Sequence, residues 1–150
     1  MPPLARYWIK AGFVNFSAAL LLAVLIQLSS VMSLPEFIIA MNPVYFHLFL
    51  VGWITQIIMG VSFWMFPPLN KDQPRGIESL GWLSFFCINV GLICRIVSEP
   101  VVVLDPASEW RWILIASALL QWAGGMLYVI HIWQRVKGKQ LPATNVIRVL

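Results

Sequence analysis

The chain has 150 residues, 60% of them hydrophobic and 11% charged, with a formal net charge of +4. Soluble domains run near 50% apolar and 25% charged, so the composition excludes an ordinary water-exposed fold. The few cations are scattered over the connections rather than gathered in a patch, which speaks against nucleic acid and for a lipid bilayer as the main environment.

Four runs are each long enough to cross the hydrocarbon core, which takes about 20 mostly apolar residues. In chain order they are expected at about Ala11–Met32, Val44–Phe66, Ile77–Val97 and Trp110–Val136. The fold class is therefore all-α, an integral membrane four-helix bundle forming a single transmembrane domain. The start, Met1–Lys10, does not read as a cleavable signal, because the apolar run behind it is long and lacks a small-residue cleavage site. Proline punctuates the connections: Pro35 and Pro43 in the first, Pro67, Pro68 and Pro74 in the second, Pro100 and Pro106 in the third.

The second span carries Gly52, Gln56 and Gly60 along one face. At 100° per residue His47 falls opposite them, beside Val51, Ile54 and Ile58. An imidazole turned to acyl chains would be poorly satisfied, so the His47 face calls for a cofactor, another subunit or a third helix of the bundle. The third span holds the stripe Gly81, Ser84, Ile88, Gly91, Arg95 and Glu99. The fourth holds Ser117, Gln121, Gly124, Tyr128, His131 and Arg135. Positions three and four apart share a helix face, and small or polar residues on such a face mark helix contacts in lipid. Cys87 and Cys94 lie seven apart on one helix, a geometry that forbids a disulfide, and they read as packing.

Orientation follows from charge. With four spans, both termini and the loop Pro67–Gly76 share a side, which carries Arg6, Lys10, Lys71, Arg75, Arg135, Lys137, Lys139 and Arg148. The other side has only Arg95 and Arg111. This positive-inside bias puts both termini in the cytoplasm and the chain in a bacterial-type inner (plasma) membrane. Tyr7, Trp8, Tyr45, Trp64, Trp110, Trp112 and Trp133 fall near span ends, as an aromatic belt requires.

His47 is about one turn into its span from the outer side and His131 about twenty residues into its own, so they are on the order of 20–25 Å apart in depth. They cannot be two axial ligands of one heme in a single bundle. Arg95 and Glu99 share the depth of His47 and can pair at i, i+4. The three together suit a heme propionate beside an imidazole ligand, or quinol deprotonation. His131 reads as structural, within reach of Asn15, while Trp133 and Arg135 anchor the helix end. No catalytic motif of a soluble enzyme is present, and no CxxCH for covalent heme.

The stretch Tyr45-Phe46-His47-Leu48-Phe49-Leu50-Val51-Gly52-Trp53, continued by Gln56, Gly60 and Phe66-Pro67, resembles the histidine-bearing helices of heme-copper oxidase subunit I-like proteins. Short relatives of the cbb3-type subunit and of the NnrS group are included. Arg95-Ile96-Val97-Ser98-Glu99-Pro100 has the same character. In the large oxidases a histidine on the second span, near the outer side, ligates the low-spin heme, and the resemblance implies that role for His47, the one metal-ligand candidate. Full catalytic subunits have twelve or more spans and several further histidines, so oxygen or nitric oxide reduction by this chain alone is not expected.

These observations lead to a small subunit of a respiratory or photosynthetic electron-transfer complex. It would bind heme b near the outer face through His47, with Arg95, Glu99 and His131 as further cofactor-binding candidates and no catalytic residue of its own. Two alternatives stand: a non-catalytic scaffold gripping larger membrane partners or further copies of itself, and a subunit binding quinone or a (bacterio)chlorophyll chlorin.

Overall fold

The computed structural model describes residues 1–69 and 75–136, and every described element is helical. Four helices are long and apolar enough to cross a membrane: α1 (Pro3–Leu28), α2 (Glu36–Met65), α3 (Glu78–Leu104) and α4 (Arg111–Trp133). This is consistent with a multi-pass membrane protein. Lys71 and Pro74 of the second connection, and Lys137, Lys139 and Arg148 near the C-terminus, lie outside the described residues.

The helices run farther than the apolar runs suggest. α1 starts at Pro3, a residue that suits a first helical turn because its missing N–H has no partner there. α2 starts at Glu36 and passes Pro43, which occupies the first turn of a new segment after a break at Met41. α3 continues through Pro100 to Leu104. Pro100 has no N–H for the Ile96 carbonyl, and in the preceding turn the Ser98 hydroxyl donates to the Cys94 carbonyl at 2.7 Å.

Leu48–Thr55 in the middle of α2 is π-helical, and the Thr55 hydroxyl donates to the Leu50 carbonyl five residues back at 2.9 Å. A π segment holds about one more residue per turn than an α-helix. In an unbroken α-helix, nine residues would put His47 and Gln56 on opposite faces. Here both turn toward α3, His47 to Glu99 and Gln56 to Asn89. Gly52 and Gly60 meet α1 instead: a Cβ on Gly52 would lie 2.8 Å from Asn15 Cβ, and one on Gly60 2.9 Å from Trp8 Cβ. The single face expected for Gly52, Gln56 and Gly60 is thus split between two neighbours.

α3 and α4 pack closely. Their stripes interlock through two serine bonds, Ser84 Oγ to the Gly124 carbonyl at 2.6 Å and Ser117 Oγ to the Gly91 carbonyl at 2.7 Å. A Cβ on Gly91 would come 2.8 Å from Gln121 Cγ, and one on Gly124 2.7 Å from Ile88 Cγ1. Backbones that approach this closely need glycine at the crossing.

Where α1 begins and α2 ends, all four helices converge on a core of Leu4, Trp8, Met59, Phe63, Ile88, Leu92, Tyr128 and Ile132. Trp8, expected in an interfacial belt, is fully buried and packs edge-on against Phe85 and Tyr128 at 5.0 and 6.2 Å. At the opposite end a smaller cluster, Ala19, Leu22, Val44 and Leu48, joins α1 to α2.

Candidate functional site

His47 closes the Asn42–His47 segment just before the π turns. Its Nδ1 stands 3.0 Å from the carbonyl of Pro43. A carbonyl can only accept, so Nδ1 is the donor in this contact and Nε2 is the nitrogen turned away from it. Among the described residues Nε2 makes no hydrogen bond. Phe46, His47, Leu50 and Val51 line a shallow cleft of about 80 Å³ on the outer surface of α2.

Behind the ring, Glu99 Oε2 lies 3.8 Å from Nδ1, and Glu99 Oε1 accepts a 2.8 Å bond from Arg95 Nη1. Arg95 and Glu99 expose only 12% and 10% of their side chains. The structure therefore brings His47, Arg95 and Glu99 together, as their common depth suggested. Arg95 turns into the protein rather than the cleft: its Nη1 is taken by Glu99, and its Nε, like Glu99 Oε2, is buried without a hydrogen-bond partner. An ionic pair this enclosed stays in register only while both members are present.

His131 is elsewhere. It is buried among the near-end core and stacks on Phe63 at 5.4 Å and 15°. Phe63 lies sixteen residues beyond His47 on α2, which sets the two imidazoles on the order of 20 Å apart along the helix. Asn15 does not reach His131. It donates instead to the carbonyls of Ala11 at 2.9 Å and Gly52 at 3.3 Å, the latter in the π segment. The Nε2 of His131 is buried with no hydrogen-bond partner.

Two features escaped the sequence pattern. Asn89 and Gln56 pair through both amides at 3.2 and 3.3 Å, bridging α2 and α3 in mid-bundle. A second polar residue at the depth of Gln56 was the signal available. Arg135 does more than anchor α4: it donates to the carbonyls of Phe63 at 3.0 Å, Phe66 at 2.6 Å and Pro67 at 3.2 Å, capping the end of α2. Its guanidinium also sits over the Phe63 ring at 5.4 Å. Burial pulls its pKa below the ordinary arginine value, opposed by the nearby Tyr128 hydroxyl and reinforced by Arg75. An arginine stays charged regardless.

Among the described residues no group of three His, Cys, Asp or Glu side chains is placed to hold a metal ion by itself. Cys87 and Cys94 are free thiols. No protein-family model, curated protein or solved structure matches the chain.

Proposed function

We propose that this is a small subunit of a membrane electron-transfer complex in which His47 Nε2 would hold a heme b at the junction with a partner. The positive-inside bias supports cytoplasmic termini in a bacterial-type inner membrane, with His47 toward the outer face. The observation that carries the proposal is the contact that holds Nδ1 on the Pro43 carbonyl. Metal-ligating histidines usually hold their other ring nitrogen on a carbonyl or carboxylate, which orients the ring and raises its basicity. His47 has Pro43 in that position at 3.0 Å and Glu99 behind it at 3.8 Å.

The donor fits a heme iron, whereas the cleft of about 80 Å³ is far below the roughly 300–1,000 Å³ of an enclosing ligand site. The chain would supply one ligand and one wall, and a larger subunit or a second copy the rest. A bound heme b would supply one-electron chemistry. This chain's residues would hold the ring plane, keep the Nδ1 proton and place the Arg95–Glu99 pair behind the ligand. His131 has no part in that site.

A scaffold role draws on the same bond from the other side. With Nδ1 held on the Pro43 carbonyl, the ring is anchored within its own helix even when nothing is bound to Nε2. The deciding experiment is an absorption spectrum of the purified native assembly, with pyridine hemochrome and solvent extraction on one sample. A Soret band that shifts on reduction and is lost in His47→Ala supports heme ligation. An intact assembly without heme refutes it, and quinone or chlorin in the extract would name the other occupant.

A further inference from the structure

The geometry points to a binding site for one anionic phospholipid on the exposed face of α1 near its first residues. Pro3, Arg6, Tyr7 and Lys10 line a cleft of about 210 Å³. Arg6 and Lys10 are one turn apart and exposed, which separates them by about 6 Å along the axis, a span that a phosphodiester can bridge. Among the described residues neither belongs to an ion pair. Tyr7 between them is 53% exposed, yet its ring is held against Trp82 at 5.4 Å and Phe85 at 6.3 Å. The cleft therefore has a fixed aromatic floor and two cations at its rim.

What distinguishes a lipid from a free phosphate is the rest of the face. Counting on by three and four from Lys10 gives Val14, Ser17 and Leu21, all exposed, with Val14 at 70% and Leu21 at 62%. Phe13 beside them is 57% exposed. Basic rim, then polar–apolar boundary, then apolar stripe is the order of groups along a phospholipid with a negative headgroup. Lys and Arg at this depth attract such headgroups, while Tyr7 suits the interface where one end of a ring is wet. The site involves neither His47 nor its neighbours.

The test is native mass spectrometry of the full-length protein in detergent, titrated with phosphatidylglycerol, phosphatidylcholine or inorganic phosphate. Wild type should retain phosphatidylglycerol preferentially. The Arg6→Gln/Lys10→Gln variant should lose about fivefold in retention for each charge and roughly 30-fold for both. The charge-preserving Arg6→Lys/Lys10→Arg variant should keep it, and both variants, altered only at exposed positions, should give the wild-type circular dichroism spectrum. Equal retention of the two lipids, or undiminished retention in the double glutamine variant, overturns the proposal. So does phosphate competing as well as the whole lipid, since the apolar stripe would then contribute nothing.

Discussion

Arg95 Nη1 stands 2.8 Å from Glu99 Oε1 one turn away on α3, and neither side chain exposes more than 12% of its surface. Two charges removed from water repay that loss only through each other, and deleting one partner strands the other. Arg95→Leu or Glu99→Leu alone should destabilise the protein by about 3–5 kcal/mol, and the double leucine variant by much less. Reversible unfolding in mixed micelles would read the difference. Additive losses would mean that the two side chains do not depend on each other.

Arg135 joins the end of α4 to the end of α2. Three carbonyls of Phe63, Phe66 and Pro67 depend on its five donors. Carbonyls at a helix end need a partner from outside the helix, and a buried one left alone costs about 1–3 kcal/mol. Arg135→Met keeps the length of the stem and removes the fork, so a loss in that range or above is expected. Lysine, with a point charge in place of a planar fork, should rescue only part of it. Full rescue by Arg135→Lys would show that charge alone suffices.

The helices and their two small-residue stripes were legible because composition and a 3.6-residue spacing fix which segments are apolar and which faces are smooth. The meeting of His47, Arg95 and Glu99 was legible from depth alone. The facing of Gln56 was not: it depends on eight π-helical residues, Leu48–Thr55, and apolar periodicity is blind to them because Leu, Phe, Val, Trp and Ile fill every side of that stretch. The burial of Trp8 inside the bundle and the bond from Asn15 to the Gly52 carbonyl were not legible either, because hydropathy does not say which face of α1 turns inward. The triple cap by Arg135 needed the fold, since its carbonyl partners are 68 to 72 residues away.

Gln56 and Asn89 exchange amide bonds at 3.2 and 3.3 Å across α2 and α3, and Gln56 is fully buried. Hydrogen bonds between membrane helices are worth less than the low dielectric suggests, averaging about 0.6 kcal/mol. A double-mutant cycle of Gln56→Leu and Asn89→Leu should therefore give a coupling of about 0.5–1.5 kcal/mol. A coupling near zero would reduce the pair to incidental contact. One well above 2 kcal/mol would instead mean that the amides fix the register of the π segment.

Gly124 and Gly125 are neighbours with opposite surroundings. A Cβ on Gly124 would meet Ile88 Cγ1 at 2.7 Å, Cys87 Cβ at 3.1 Å and the Ile88 backbone nitrogen at 3.1 Å, whereas one on Gly125 would meet nothing within 4 Å. The backbone nitrogen cannot step aside, so Gly124→Ala must push α3 away from α4 and lengthen the 2.6 Å bond from Ser84 to the Gly124 carbonyl. Overpacking of this kind costs about 1–3 kcal/mol, while Gly125→Ala should be neutral or stabilising by up to about 1 kcal/mol. The same pair read by cysteine cross-linking across the α3–α4 seam separates packing from helix propensity, because both substitutions add one methyl to the same turn. If the two variants lose stability equally, the close crossing of α3 and α4 is not what holds them together.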